Sequence, residues 1–513
     1  LPTATATSPV TICSGSSTAI GLTSDVAGST FSWNAVQTNV TGATAGSGDT
    51  IAQTLTTVGT KSGEAVYSVI PTANGCPGLP ILVTVTVHPI PVLSVNPLNP
   101  SLCSGSTTNI ALSSNVAGTS FSWTVDPVGV LGSFSDTGKI IAQTLKTIST
   151  IPATVDYTIT PIANSCLGAS MVSTVTVKPT PEVFGSSGST ICSGESTNIN
   201  LSPNILGTVF SWTALQNKTT GALDGSGDTI NQILETQANQ GIVTYTITPT
   251  LNGCEGNSIA IIIKVNGLPM PLLTDGIICV EQSTGTTFKT YEFDSELNRA
   301  NHDFQWFFEG VAINGAADST YDATQVGTYS VIATNTTTSC ISNEVFGSVT
   351  ASYPAQSFIA TVSDAFTKNP MITVNAQGGT ASLLYQLDQD SFQIDNVFTG
   401  VSNGTHTVRV NDVNGCTNLV QTVTVIDYPK YFTPNGDGFN DTWKIVGLEN
   451  QPTAAIHIYD RYGKLLKQIS TTGLGWDGTL NGYELPSTDY WFTINFLENN
   501  IDKIFKAHFT LKR

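Results

Sequence analysis

The sequence predicts an all-β fold: an elongated tandem array of antiparallel β-sandwich domains. Three observations carry that expectation. A block of roughly domain size is written three times, with Trp33, Trp123 and Trp212 marking periods of 90 and 89 residues. Within each block, short alternating runs such as "TFSW", "VYSVI" and "ILVTVTV" are separated by Gly, Asn, Ser and Pro clusters. The composition also suits strands, because charged residues are only 11% while β-branched and turn-forming residues abound. A hydrophobic share of 40% argues against disorder.

The repeats justify themselves segment by segment. "ICSGSSTAIGL", "LCSGSTTNIAL" and "ICSGESTNINL" each run on to "FSW". Then come "GDTIAQTL", "GKIIAQTL" and "GDTINQIL", followed by "YSVIPTANGC", "YTITPIANSC" and "YTITPTLNGC". A unit this long buries its own core and is a whole domain, unlike the turn of a solenoid. Trp33, Trp123 and Trp212 close the alternating "FSW" runs, which places them on the inner face as core; a glycan-stacking platform is the competing reading. Proline-bearing connectors, "HPIPVLSVNPLNP", "KPTPEVFGSSG" and "NGLPMP", read as semi-rigid spacers. Six such beads would reach on the order of 200 Å.

The motif order of the three blocks resembles PKD-like modules of bacterial surface proteins. "FQWFFEGVAI…STYDAT…GTYSV" resembles bacterial Ig-like modules, and "GGTASLLYQLDQDSFQIDNVFTGVSNGTHTVRVNDVNGC" resembles the repeat of SprB-type gliding adhesins. The expected organisation is a leader at 1–9, PKD-like repeats at 10–98, 99–188 and 189–270, an Ig-like domain at 271–352, a SprB-repeat-like domain at 353–427 and a distinct domain at 428–513. The Thr-rich start, "LPTATATSPV", reads as a solvated leader in the carboxy-terminal piece of something longer.

Nine cysteines fall in register with these units. One early and one late cysteine per domain, with Trp between, resembles the immunoglobulin inter-sheet bridge. The expected pairs are Cys13–Cys76, Cys103–Cys166, Cys192–Cys254 and Cys279–Cys340, with Cys416 left as a buried thiol. Tyr67, Tyr157 and Tyr245 stand nine residues ahead of the late cysteine, which leaves room for that cysteine to lie in a turn beyond the strand. Disulfides imply an oxidising, extracytoplasmic location.

Net charge is −18, and residues 428–513 carry nine basic and nine acidic side chains, so the whole excess lies in 1–427. Such a surface repels phosphate backbones, which argues against nucleic-acid binding. No apolar run approaches the ~20 residues of a membrane-spanning helix. Five scattered histidines (His88, His302, His406, His457, His508) and no nucleotide or metalloprotease motif point away from an enzyme. Asp388 and Asp390 read as a solvated hairpin. Of the neighbours Tyr490 and Trp491, one faces the core and one faces out.

From residue 428 the register changes. "YFTPNGDGFNDTW", "IYDRYGKLL", "GWDG" and a closing strand through "AHFTLKR" resemble the gliding-motility-associated C-terminal domain, the type B sorting domain of the type IX secretion system in Bacteroidota. The resemblance implies export by the type IX machinery, retention by a PorP/SprF-type outer-membrane β-barrel protein, and a secreted, surface-attached adhesin that contacts an external surface or polysaccharide during gliding. The residues that the resemblance marks for sorting or partner binding are Thr433, Pro434, Asn435, Gly436, Asp437, Gly438, Asn440, Asp441, Trp476, Asp477 and Gly478. The loop departs from the EF-hand order because Phe439 stands where a third ligand belongs. A phosphate cradle would need a following helix and a Lys, whereas "TWKIVGL" reads as a strand. Three readings stay open: a Gly-rich turn closed by its own Asn and Asp side chains, a partner epitope, and a calcium site at Asn435, Asp437, Asn440 and Asp441. No other cofactor is expected.

Overall fold

The computed structural model describes residues 1–7 and 10–513. The described residues are all β and contain no helix, so none is long and apolar enough to cross a membrane, which says nothing of a β-barrel. Two compact units, Leu1–Gly267 and Leu268–Arg513, make up the chain.

In the first unit the three repeats share one plan. Repeat 1 packs a three-stranded sheet (Ala4–Ala6, Ile20–Ser24, Thr50–Ile51) on a larger one, ordered Val10–Cys13, Ile81–His88, Gly63–Ala73, Thr30–Thr38, Gly46–Ser47. Alternation sets the core: in Gly63–Ala73, Ala65, Tyr67 and Val69 are fully buried while their neighbours face out. Trp33, Trp123 and Trp212 are buried at 4–7% exposure, which makes them core and removes the residues a stacking platform would need.

A polar clasp recurs in each core. The Tyr67 hydroxyl donates to Gln53 Oε1 at 2.8 Å, as Tyr157 does to Gln143 and Tyr245 to Gln232. The same glutamine donates Nε2–H to the carbonyl that also accepts the Trp indole N–H: Thr44, Phe134 or Leu223. Burial pushes the Tyr157 and Tyr245 hydroxyls up to about 12, so they stay protonated donors. The glutamine of "AQTL" is thereby explained as a tie between Tyr strand and Trp loop.

Three boundaries move. The stretch expected to be a solvated leader contains the strand Ala4–Ala6, which pairs with Ile20–Ser24 and contributes buried Ala4; Ser8 and Pro9, also in that expected leader, lie outside the described residues. Likewise Leu93–Asn96 pairs with Ile110–Ser114, and Val183–Gly185 with Ile199–Pro203. These segments, expected in connectors and in the preceding repeat, are first strands of the following one. What remains of each connector is pinned: a Cβ on Gly78, Gly168 or Gly256 would stand 1.7–2.1 Å from the carbonyl oxygen of Pro2, Pro91 or Pro181. Only glycine leaves the entering chain room there.

The disulfides do not close within domains. Cys13 bonds Cys166, Cys103 bonds Cys254 and Cys279 bonds Cys416, with Cα–Cα separations of 5.4–5.6 Å. Cys192 and Cys340 are disulfide-bonded too, and Cys76 is an exposed free thiol. None of the four expected in-domain pairs forms, and Cys416 is bridged.

The cause is geometric. Cys13 ends the strand Val10–Cys13 and pairs in parallel with His88, one step beyond the level of Val87 and Gly63. Cys76 follows the two-residue turn Asn74–Gly75, where φ is 50° and 81°, and pairs with Ala73 at the far end of the same strand. Positive φ at both turn residues is the type I′ hairpin that "NG" favours; Asn164–Ser165 and Asn252–Gly253 repeat it. Ten residue steps of strand, roughly 30–35 Å, thus separate the two cysteines of one repeat. A disulfide needs Cα atoms within about 7 Å. In the repeats the early cysteine sits at one pole, the late cysteine at the other, and Cys13–Cys166 and Cys103–Cys254 each join one repeat to the next.

In the second unit, the fourth domain orders Thr287–Lys289, Gly276–Val280, Val345–Ser352, Gly327–Asn335, His302–Phe308 and Val311–Ala312 in one sheet, over the pair Tyr291–Asp294 and Thr320–Ala323. Fully buried Trp306 anchors it. The fifth domain faces two three-stranded sheets, Ala355–Val362, Met371–Gly378, Val397–Thr399 and Leu383–Leu387, Gly404–Asp412, Asn418–Val425. Asp388 is no free carboxylate: its Oδ2 lies 2.7 Å from His406 Nδ1.

The sixth domain is a five-stranded sheet ordered Tyr431–Phe432, Ile501–Leu511, Asp489–Glu498, Ala455–Tyr459, Leu465–Ser470. The expected strand over "TWKIVGL" is absent. Residues 442–448 alternate in burial, but their backbone pairs through isolated bridges only, Trp443 with Trp476 and Val446 with Asp427.

Candidate functional site

The loop after Phe432 begins where Tyr431–Phe432 runs parallel to the final strand, Tyr431 opposite Thr510 and Phe432 opposite Leu511. Thr433 N–H donates to Asn440 C=O at 2.8 Å and closes the loop's base. Inside it, Asp441 accepts three backbone N–H groups: Asn435 at 3.0 Å, Gly436 at 2.7 Å and Gly438 at 2.7 Å. Those donors, Gly436 and Gly438 first, outweigh slight desolvation and hold the Asp441 carboxyl below the usual range. Asp437 accepts from Phe439 N–H at 2.8 Å and from the Asn435 side-chain amide at 2.8 Å. Asn435 Oδ1 in turn accepts from Asp437 N–H.

The loop's carboxylates therefore close on its own backbone, as Asx turns do. Gly436, Gly438 and Asn440 adopt φ of 80°, 90° and 51°. Open space surrounds both glycines, so their requirement is conformational. Among the described residues, no three His, Cys, Asp or Glu side chains converge as metal ligands would.

What the closed loop presents is Phe439, 78% exposed at its tip. Among the sorting residues expected from sequence, Asn435, Gly436, Asp437, Gly438 and Asn440 are exposed, while Thr433, Pro434 and Asp441 are half-buried at the base. Phe439 itself was not among them. Its signal was present: a large aromatic set between Gly438 and Asn440, in a run otherwise made of turn formers, has no core to enter.

"GWDG" lies beneath rather than beside the loop. Trp476 is 1% exposed, exchanges two 2.8 Å backbone hydrogen bonds with Trp443 and packs at 5.7 Å from the Phe432 ring. Its indole N–H donates to Thr479 C=O at 2.9 Å. Gly478 is buried, and a Cβ there would meet Leu511 Cδ1 at 2.5 Å. Asp477 alone faces solvent, and its Oδ1 accepts from the Thr479 N–H and hydroxyl. Trp476 and Gly478 thus hold the strand from which the loop springs. Trp443 stacks on Phe509 with centroids 3.8 Å apart, completing that support. Tyr490 is buried with its hydroxyl donating to Pro486 C=O at 2.8 Å, while Trp491 is 41% exposed.

Two domain families match this chain. Residues 10–91, 100–181 and 189–269 match the PKD-like domain, and residues 426–511 match the CHU_C type IX secretion signal domain. No curated protein matches the sequence. Among solved structures, the N-terminal eight Ig domains of Down syndrome cell adhesion molecule align over 98% of this chain and 71% of that one, at 12% identity and a TM-score of 0.24. Domains 4–9 of the surface layer protein SbsC align over 96% and 93%, at 9% identity and a TM-score of 0.18.

Proposed function

We propose, starting from a chain that carries three PKD-like domains and a C-terminal type IX secretion signal domain, that it is a surface adhesin of the gliding type. The signal domain directs export through the type IX machinery, and the same domain afterwards binds an outer-membrane β-barrel protein of the PorP/SprF kind. The preceding sandwiches form the non-catalytic part that meets an external surface or polysaccharide.

The observation that carries the retention reading is the closed loop at 433–441, whose polar groups satisfy one another and whose tip offers Phe439. An exposed aromatic on a preformed support is the kind of anchor that protein interfaces use, because little ordering entropy is lost on binding. The test is a pull-down of the tagged full chain, wild type and Phe439→Ala, from detergent-solubilised outer membranes. Recovery of a β-barrel protein by wild type and its loss in the variant, with unchanged circular dichroism, supports the reading. Equal recovery by both removes the loop from retention. Deleting residues 428–513 should abolish surface display, and normal display of the truncated chain would refute the sorting role.

A second reading, a non-adhesive structural stalk carrying an upstream enzyme or carbohydrate-binding module, is favoured by one observation: the repeated tryptophans that could have stacked on sugars are buried. Retained cell adhesion after deleting residues 1–267 would support it.

A further inference from the structure

The free thiol of Cys76 is out of step with its counterparts. Cys166 and Cys254 occupy the same hairpin position in repeats 2 and 3, and both bond the early cysteine of the repeat before them. Residues 71–80 and 161–170 agree in burial class residue for residue except at the cysteine, where Cys166 is 1% exposed and Cys76 lies open. The turn carbonyls at this pole also receive the preceding repeat: Lys178 Nζ donates to Asn252 C=O at 3.3 Å, and Cys103 Sγ lies 3.9 Å from Gly253 C=O. Repeat 1 presents the same equipment in Asn74, Gly75, Cys76 and the Gly78–Pro2 contact.

We propose that Cys76 is a covalent docking site for one further sandwich of the same polypeptide, lying ahead of Leu1 and carrying an early cysteine like those in "ICSG" and "LCSG". The two thiols join as one disulfide, losing two protons and two electrons. A disulfide oxidant, protein or low-molecular-weight, takes both electrons and leaves as two thiols. The hairpin pole of repeat 1 is then covered as the corresponding poles of repeats 2 and 3 are.

The test begins with the native protein, alkylated before any reduction and mapped by mass spectrometry. A Cys76 peptide joined to a peptide from ahead of Leu1 supports the proposal. An alkylated Cys76, or a Cys76–Cys76 dimer, overturns it. A second arm needs no knowledge of the natural neighbour. A copy of residues 90–179, tagged by Leu102→Val, is placed directly before Leu1 so that Pro2 keeps its register with Pro91. After oxidation in glutathione buffer, the tagged Cys103 should be found on Cys76, and the free thiol should move to Cys166 of the copy. Cys76 still fully alkylatable, in a chain whose copy has folded by circular dichroism, overturns the docking geometry. Cys103→Ser in the copy should restore the free Cys76.

Discussion

Between the second and third PKD-like domains the joint is covalent, and between the fifth domain and the signal domain it is not. Cys103–Cys254 ties the first of these, beside the Lys178–Asn252 hydrogen bond. At the other joint Phe366 lies flat on Phe505, with centroids 4.1 Å apart, and edge-on to Phe496 at 5.3 Å. The Ala365 N–H donates to Glu498 Oε1 at 2.6 Å, and Lys503 pairs with the same carboxylate at 2.5 Å. Residues 428–513 contain no cysteine. A disulfide joint opens only by reduction, whereas apolar packing of this kind opens reversibly at a cost of a few kcal/mol. The signal domain can therefore part from its neighbour without any bond breaking, and the repeats cannot.

Reduction should separate the two regions most sharply. The Cys13–Cys166 bridge spans 153 residues, a closure worth roughly 5 kcal/mol on the chain-entropy account. Calorimetry with a reductant should show the transition of the repeats falling while that of residues 428–513 stays in place. Equal shifts would break the comparison. Trp443→Ala acts on the other side: it removes a fully buried ring stacked on Phe509 and should cost about 3–5 kcal/mol. Denaturant titration should show that loss in the signal-domain transition alone. Phe366→Ala touches only the joint. With the ring half-buried, a loss of about 1–2 kcal/mol is expected, read as earlier melting of the signal domain and checked against unchanged melting of the repeats.

The smallest effect is acid-linked. Burial pushes the Asp412 carboxyl up, but hydrogen bonds from Thr417, from the Cys416 N–H and from the Asn414 N–H outweigh it and hold it below the usual range. Its folded-state pKa is thus depressed. The stability it contributes is present above about pH 3.9 and is lost as pH falls through the folded value. Melting temperature measured from neutral pH downward should fall through this range in wild type and show a smaller step in Asp412→Asn. An identical profile would remove Asp412 as the cap of the turn that carries Cys416.

Much of this was legible in the residues. The threefold repeat, the inward Trp of "FSW" and the all-β plan follow from period-two alternation and turn chemistry, which are local. The disulfide partners are not local. Spacing alone cannot say at which end of a sandwich a cysteine stands, though "NG" just before Cys76 already marks a hairpin turn beyond the end of the Tyr67 strand, about six steps or roughly 20 Å away. The segment 442–448 misled for a related reason: its alternating burial mimics a strand, yet along the backbone Trp443 and Val446 each form a single isolated bridge. In the loop, the Asn and Asp side chains read first as caps of a turn, with calcium ligation as a rival. Which they are depends on where the N–H groups point.

The bridges overlap in sequence, since Cys103 lies inside the Cys13–Cys166 span and Cys166 inside the Cys103–Cys254 span. Suppose a protease nicks the backbone at residue 90 and again at residue 180. The first fragment is still bonded to the second through Cys13, and the second to the third through Cys103. A chain stitched in this staggered way survives cuts in both connectors among the three repeats with every domain attached, a property suited to life outside the cell among hydrolytic enzymes.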